Sequence, residues 1–176
     1  MSSGPLVLVV MGVSGSGKTT VGSMLAERLG WPFQEGDDLH PQKNIDKMKV
    51  GNPLTDADRR PWLELIADWV DHQLDAGRSG IITCSALKRA YRKRIDRRRR
   101  GVVFIFLDGP QKTIALRLGS RRSHFMPPQL LKSQFADLEP PSSSEPAIAF
   151  DVDASPQQIV DEIIERLGLT EPKRLK

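Results

Sequence analysis

The clearest chemical pattern lies near the N-terminus, where residues 12–19 read GVSGSGKT. They match the phosphate-binding pattern G-x-x-x-x-G-K-[ST]. The glycines let backbone N–H groups converge on phosphate oxygens, and the helix that follows points the positive end of its dipole at the same anion. Lys18 places a cation on the β- and γ-phosphates, and the Thr19 hydroxyl ligates Mg²⁺ in such loops. The residues predicted to bind the nucleotide here are Gly12, Val13, Ser14, Gly15, Ser16, Gly17, Lys18, Thr19 and Thr20.

The surroundings of this loop argue against a chance match in a glycine-rich turn. The loop follows a continuous apolar run at residues 6–11 and opens an amphipathic helix, as the motif requires. Motors, switches and kinases all use such a loop. The apolar run at residues 80–85 ends in Ser85, where ATPases and switch GTPases usually carry a metal-binding acid, and no N-K-x-D motif is present. The sequence therefore favours a small-metabolite kinase, with Mg²⁺ held mainly by Thr19, phosphates and water.

A pair of adjacent aspartates follows the second predicted strand, in the sequence GDDLHP at residues 36–41. In an open parallel sheet, ligands bind beyond the carboxyl ends of the strands, so Asp37 is expected to face the phosphate loop. A carboxylate there can orient an attacking hydroxyl and accept its proton. The alternative for such a pair is a helix N-cap, which we assign to Asp38. Asp37 is the candidate catalytic base.

Apolar runs and helical patterns alternate along the chain, which is typical of a parallel sheet covered by helices. Strands are predicted at residues 6–11, 32–35, 80–85, 102–107 and 148–152. Helices are predicted at residues 17–29, 41–50, 61–77, 86–97, 111–120, 128–138 and 156–167. The third of these helices is predicted to start near Pro61, despite a capping-box pattern at residues 55–58, because proline is best tolerated in a first helical turn. These patterns predict one α/β domain over residues 1–176, with a lid at about 118–138 and frayed ends at 1–4 and 170–176.

Longer stretches carry a more specific pattern, above all GNPLTDADRRPWL at residues 51–63 and CSALKRAYR at residues 84–92. With the phosphate loop and GDDLHP, they resemble the gluconokinase family of the shikimate-kinase and nucleoside-monophosphate-kinase-like group, over residues 6 to 167. The resemblance implies a three-layer α/β/α P-loop kinase fold with a five-stranded parallel sheet and a helical lid. It also implies Mg-ATP as phosphoryl donor, gluconate as acceptor and a homodimer. Related kinases often carry an aspartate where this chain has Glu35.

Gluconate is a polyol with a carboxylate, so its site needs a cation and several hydrogen-bonding groups. Lys88 and Arg92 lie four residues apart in a predicted helix that starts at a strand's carboxyl end, and an arginine fork fits a carboxylate. Both are candidate substrate ligands, and a solvated basic helix face is the alternative. The resemblance adds His40 and His124 as candidate sugar contacts, and the predicted helix at residues 128–138 offers Gln134 as a further candidate substrate ligand. Arg117 and Arg121, leading into the predicted lid, are candidates to clamp phosphates or stack on adenine, with Arg121 also acting on transition-state charge.

The charge of the chain is unevenly distributed. The formal net charge is +4, but nine of the 26 basic residues lie between residues 88 and 100. Such a cluster can mark an anion site, a nucleic-acid surface or a solvated helix face. Nucleic-acid binding is a remote alternative, because paired surface aromatics are missing. No apolar stretch reaches the roughly 20 residues of a membrane span, and one cysteine, Cys84, fits a reducing cytoplasm.

Overall fold

The computed structural model of the chain describes residues 4–119 and 128–173. Two predicted site residues, Arg121 and His124, lie outside these ranges. No helix within the ranges combines the length and the apolar character that crossing a membrane requires.

A five-stranded parallel sheet forms the centre of the structure, with strand order β2-β3-β1-β4-β5. Its strands are β1 (Val7–Met11), β2 (Phe33–Gln34), β3 (Gly80–Thr83), β4 (Val102–Asp108) and β5 (Ala147–Asp151). The described helices are α1 (Lys18–Leu29), α2 (Gln42–Lys49), α3 (Asp56–Asp75), α4 (Arg89–Ile95), α5 (Gln111–Gly119), α6 (Pro128–Asp137) and α7 (Pro156–Leu167), and a 3₁₀ turn covers Gly36–Leu39. The predicted parallel sheet is confirmed.

Helices cover both faces of the sheet, because successive side chains of a strand point to opposite sides. All five residues of β1 are buried. Val7, Val9 and Met11 pack into one core with residues of α3 and α4, whereas Leu8 and Val10 pack into the other with residues of α1 and α7. The predicted three-layer α/β/α architecture is therefore confirmed.

Helix α3 begins at Asp56, earlier than the predicted start near Pro61. Thr55 and Asp58 form a complete capping box, in which each side chain accepts a hydrogen bond from the other residue's backbone N–H. Pro61 lies inside the helix and removes one N–H donor, but Ala57, whose carbonyl would have received it, is exposed to solvent. The cap outweighs the proline, so the prediction of the start was wrong.

Helix α4 is shorter than predicted and begins only at Arg89. Ala86 has a φ of 45°, a left-handed conformation that cannot continue a right-handed helix. Lys88 is the extended N-cap residue, with φ −102° and ψ 147°. The Lys88 carbonyl still accepts from the Arg92 N–H at 3.2 Å, so the two residues lie one turn apart, but Lys88 stands at the cap and not within the helix.

The turn that carries Asp37 is fixed against the sheet at Gly36. The Gly36 N–H donates to Thr83 Oγ1 at 3.0 Å, and its carbonyl accepts from Trp62 Nε1 at 2.8 Å. A Cβ atom at this position would lie 1.8 Å from the Thr83 carbonyl oxygen, closer than any contact allows. Only glycine fits this close approach of two backbones.

The substitution Gly36→Ala is expected to lower the free energy of unfolding by about 3 kcal/mol, because the backbone must move to admit the methyl group. Urea unfolding of the purified variant measures this. Gly119→Ala is the matched control, since a Cβ there meets no atom of residues 4–119 and 128–173 within 4 Å. Equal stability of the two variants would contradict the steric argument.

Candidate active site

The phosphate loop connects β1 to α1, and its glycines adopt the positive φ angles that only glycine takes up readily. Gly12 has a φ of 148° and Gly17 a φ of 101°, values that favour glycine. The Oγ atom of Ser16 is buried, with no hydrogen-bond partner among the described residues. Because α1 begins at Lys18, its first N–H groups have no acceptor within the helix and form the positive end of its dipole. The N–H groups at the start of α1, with the Ser16 hydroxyl, fit a phosphate chain.

Lys18 lies within the curve of this loop. Its Nζ donates to the carbonyl oxygens of Gly12 and Val13, both at 3.0 Å. Burial lowers the pKa of Lys18 below its ordinary value, and the negative charge of Asp37 partly opposes this shift. An anionic phosphate beside the ammonium would offset the cost of burying it.

Two oxygen-bearing side chains lie together at the start of α1. Thr19 Oγ1 donates to Glu35 Oε2 at 2.7 Å, and the other carboxylate oxygen of Glu35 accepts from the Thr83 hydroxyl. No cluster of three or more His, Cys, Asp or Glu side chains able to hold a metal occurs within residues 4–119 and 128–173. Mg²⁺ prefers one or two protein oxygens together with phosphates and water, so Thr19 and Glu35 fit this ion. Glu35 thus places a carboxylate beside Thr19, whereas β3 is followed by Ser85 and not by an acid.

A cavity of about 310 Å³ opens beside the loop, at the carboxyl ends of the strands. Its lining consists of Ser14, Lys18, Asp37, His40, Ile45, Met48, Lys49, Pro53, Leu54, Arg59, Trp62, Ser85, Leu130, Ser133 and Gln134. The cavity thus brings together predicted nucleotide ligands with the predicted acceptor ligands Asp37, His40 and Gln134.

Asp37 and His40 lie at opposite ends of one short turn. The Asp37 side chain is 71% exposed, and its Oδ1 lies 4.0 Å from His40 Nε2. The His40 ring is buried and stacks on Trp62, with 4.0 Å between ring centres. Burial lowers the pKa of His40 to about 4; Asp37 opposes this shift and Arg59 adds to it. His40 is therefore neutral at physiological pH, whereas Asp37 is open to solvent and ligands.

Gln134 connects α6 to the phosphate loop. Its Oε1 accepts a hydrogen bond from the Ser14 N–H at 2.6 Å. The same side chain lines the cavity, so it lies between the loop and the space beside it. Arg117 on α5 donates to the Val152 carbonyl, next to the end of β5, and does not line the cavity.

The structure does not bring Arg92 to the cavity. Its side chain is 2% exposed, and it donates from Nε to Glu145, from Nη1 to two carbonyls of the β3–α4 connection, and from Nη2 to Glu139 O at 2.9 Å. All three nitrogens are occupied within the protein. The prediction that Arg92 binds the substrate carboxylate was therefore wrong. Arg92 instead holds loops together and has no donor left for a ligand.

Lys88 also lies away from the cavity lining. Its Nζ donates to Asp56 Oδ1 at 3.0 Å and lies 5.6 Å from the centre of the Tyr91 ring. The hydrogen bond to Asp56 raises the pKa of Lys88, which remains a cation. The predicted pairing of Lys88 with Arg92 on the substrate is thus not seen, because Asp56 binds the Lys88 side chain and Glu145 binds that of Arg92.

Arg59 is the cationic residue that sequence reasoning missed. It lines the cavity from α3, is 6% exposed, and donates from Nη1 to Tyr91 Oη at 2.9 Å and to Asp137 Oδ2 at 3.0 Å. Burial alone would lower its pKa, but the contacts with Tyr91 and Asp137 outweigh this and raise it. Within the described ranges its hydrogen bonds all come from Nη1, which leaves Nε and Nη2 for a ligand. Arg59 lies within GNPLTDADRRPWL at residues 51–63, one of the two stretches that carry the family resemblance most specifically.

Three of the remaining seven cations of residues 88–100 face acids of α3. Arg94, Arg97 and Arg98 form ion pairs with a stripe of acids at helical spacing. The pairs are Arg94–Glu64, Arg97–Glu64, Arg97–Asp68, Arg97–Asp71, Arg98–Asp71 and Arg98–Asp75. Much of this basic charge is therefore neutralised within the protein, which weakens the argument for a nucleic-acid surface.

Cys84 lies fully buried near the cavity, and burial raises the pKa of its thiol to about 12. The thiol therefore stays protonated and unreactive at neutral pH.

Comparison with known proteins matches residues 14–168 to the shikimate kinase family. A gluconokinase of Gluconobacter oxydans is 51% identical over 160 residues, which cover 91% of this chain and 90% of that protein. The crystal structure of a gluconokinase from Sinorhizobium meliloti is 44% identical, with a TM-score of 0.84 and coverage of 93% of this chain and 92% of that one. Shikimate kinase from Aquifex aeolicus, at 20% identity and a TM-score of 0.66 over 93% of this chain and 96% of that one, shares the fold.

The phosphate loop, the parallel sheet and an acceptor-sized cavity beside Lys18 already describe a kinase that acts on a small molecule. The identity of 44–51% to gluconokinases, over more than 90% of the chain, specifies which kind of small-molecule kinase this is. The chain belongs to the gluconokinases within the shikimate kinase family of P-loop kinases.

Proposed function

We propose that the protein transfers the γ-phosphoryl group of ATP to the primary hydroxyl of D-gluconate and forms 6-phosphogluconate. One observation carries the proposal: a single cavity has the loop lysine Lys18 and the carboxylate of Asp37 together with a buried guanidinium, Arg59. A sugar acid needs this combination, because one part of it must reach the phosphate and another part carries a negative charge.

Arg59 is the proposed partner of the gluconate carboxylate. Its guanidinium is held by Tyr91 and Asp137, so its orientation is set before the substrate binds. Charge-assisted hydrogen bonds from such a fixed fork are strong and directional. Lys49, which also lines the cavity, adds a second positive charge. These two cations replace the predicted pair of Lys88 and Arg92.

Phosphoryl transfer depends on positioning and on neutralising charge more than on covalent chemistry by the protein. Lys18 and the loop N–H groups bind the phosphate chain, and Thr19 with Glu35 holds Mg²⁺, which neutralises phosphate charge. Asp37 orients the primary hydroxyl and accepts its proton as the hydroxyl attacks. Gln134, between the loop and the cavity, keeps the two substrates adjacent.

The remaining predictions complete this proposal. Arg117 and Arg121 contact the nucleotide, and His124 contacts the sugar as the segment at residues 118–138 closes and excludes water, which would otherwise hydrolyse ATP. The protein acts in the cytoplasm as a homodimer with a single catalytic domain in each subunit.

An acceptor screen with purified protein tests the proposal. ADP formation from Mg-ATP is measured with gluconate, other sugar acids, shikimate and nucleoside monophosphates. We expect kcat/KM for gluconate to exceed that for shikimate by at least about 10³-fold, because a site built around particular polar groups rejects an analogue that leaves them unpaired. A preference for shikimate or for a nucleotide would overturn the proposed acceptor.

A further inference from the structure

Asn44 is a buried polar residue that the proposed mechanism does not use. It lies on α2 and is 1% exposed. Its Nδ2 donates to the Asp58 carbonyl oxygen at 2.9 Å and lies 3.3 Å from His40 Nδ1. One amide nitrogen thus connects the first turn of α3 to the imidazole of the cavity.

The orientation of this amide follows from its partners. A backbone carbonyl can only accept a hydrogen bond, so the NH₂ group of Asn44, and not its oxygen, must face Asp58 O. The opposite orientation would set the amide oxygen against that carbonyl and leave the NH₂ group without an acceptor. Oδ1 of Asn44 is buried and has no partner among the described residues, so it does not favour the reverse arrangement.

The carbonyl that fixes the amide is itself fixed. Asp58 belongs to the capping box of α3, and its carboxylate accepts from Thr55 N at 2.9 Å and from Lys47 Nζ at 2.6 Å. Lys47 lies on α2, the same helix as Asn44. The two helices are therefore joined at Lys47 as well as at Asn44, and the NH₂ group of Asn44 stays directed at His40.

The NH₂ group of Asn44, which faces His40 Nδ1, determines which ring nitrogen carries the proton. His40 Nδ1 must accept, so in the neutral ring the hydrogen is on Nε2. The ring lines the cavity, and its Nε2 lies 4.0 Å from Asp37 Oδ1. The charged groups that act on this ring are Asp37 of its own turn and Arg59 of α3. Nε2–H is thus a hydrogen-bond donor placed beside the candidate base.

We propose that Asn44 is a positioning residue that holds His40 as the neutral Nε2–H tautomer, so that the ring donates to a substrate hydroxyl next to the one that Asp37 orients. The identity of that hydroxyl rests on the proposed function. The tautomer does not, because it follows from the contacts of Asn44 alone. A neutral donor suits this position, since it binds a hydroxyl oxygen without competing with Lys18 for negative charge.

The tautomer is measured directly by ¹H–¹⁵N correlation spectroscopy of the imidazole rings in the full-length, ¹⁵N-histidine-labelled protein. The chain has three histidines, and loss of one signal set in His40→Gln assigns that ring. At pH 7 we expect a neutral His40 ring with its proton on Nε2. A ring protonated on Nδ1, or on both nitrogens, overturns the proposal without any variant of Asn44.

Asn44→Asp replaces the NH₂ group with a carboxylate oxygen and should move a proton to His40 Nδ1, while kcat with gluconate falls about 10-fold through the lost positioning. Gln42→Glu, the same chemical change on the exposed side of α2, should leave both readouts unchanged. An unchanged His40 spectrum in Asn44→Asp overturns the positioning role. Where that variant fails to fold, the wild-type spectrum still decides the tautomer.

Addition of gluconate to the wild-type protein with a non-hydrolysable ATP analogue tests the donor role. A shift of the His40 Nε2 signal, with the Nδ1 signal little changed, is expected. If the signal does not move although gluconate supports turnover, the donor role is wrong while the proposed function stands. If another acceptor supports turnover and moves the signal, the proposed substrate is wrong while the role of Asn44 stands.

Discussion

Asp37→Asn is expected to lower kcat by about 10²–10⁴-fold, because an amide cannot accept the proton of the attacking hydroxyl. The amide has the same shape and still hydrogen-bonds to the substrate, so KM for gluconate should change by no more than about 3-fold. Asp37 is 71% exposed and shares the cavity lining with Lys18, as the proposed role of a base facing the phosphate requires. Steady-state kinetics with an ADP-coupled assay give both constants.

Asp38→Asn is the matched control for this experiment. Asp38 is adjacent, exposed and absent from the cavity lining, so the same loss of charge there should leave kcat within about 2-fold of the wild type. Turnover of Asp37→Asn within a few-fold of the wild type would show that Asp37 is not the base. The reaction would then depend on charge neutralisation by Lys18 and the loop alone.

Arg59→Met is expected to raise KM for gluconate by about 10–150-fold, which corresponds to the loss of charged hydrogen bonds worth about 1.5–3 kcal/mol. Methionine keeps much of the apolar stem volume, and the Asp137 carboxylate that loses its partner is partly exposed to water. KM for ATP should change far less, because Arg59 lies in the cavity beside the loop and not in the loop. Initial rates over a matrix of both substrates separate the two constants.

A second buried arginine provides the control. Arg92→Met leaves the largely buried Glu145 carboxylate unpaired, so we expect the free energy of unfolding to fall by about 3–5 kcal/mol. KM for gluconate should be unchanged in the protein that remains folded. A selective rise of that KM in Arg92→Met, with normal stability, would restore the sequence-based assignment and remove Arg59 from the proposal.

The phosphate loop, the parallel sheet and the position of Asp37 could all be predicted from sequence. Each depends on local patterns: a motif of fixed spacing, continuous apolar runs, and the rule that ligands bind at the carboxyl ends of parallel strands. Four of the five strands lie within one residue of their predicted bounds at each end; β3 ends two residues early. Helix α7 was predicted without error. Local signals of this kind need no knowledge of which distant residues meet.

The cation proposed for the acceptor site could not be predicted in the same way. Lys88 and Arg92 have suitable chemistry, but Asp56 binds Lys88, and Glu145, more than fifty residues away in the chain, binds the Arg92 guanidinium. Arg59 carried no helical pattern that separated it from its neighbour Arg60. Only the tertiary contacts with Tyr91 and Asp137 show which of the two arginines is buried.

The role proposed for Glu35 also rests on tertiary contacts. Sequence reasoning left the metal mainly to Thr19, because β3 ends without an acid and Glu35 is longer than the usual aspartate. In the structure Thr83 holds one carboxylate oxygen of Glu35 while the other accepts from Thr19 at 2.7 Å. The hydroxyl of Thr83, on the neighbouring strand β3, thus holds the longer side chain of Glu35 in place.

The hydrogen bonds of Arg92 have a consequence for the segment at residues 139–146. Its composition, EPPSSSEP, is typical of a loose linker. Nevertheless one guanidinium holds both of its ends, at the Glu139 carbonyl and the Glu145 carboxylate, to the connection that leaves β3. In a chain with a single cysteine, this arginine serves as a non-covalent cross-link: it delivers the last strand to the edge of the sheet in register, as a disulfide does in many secreted proteins.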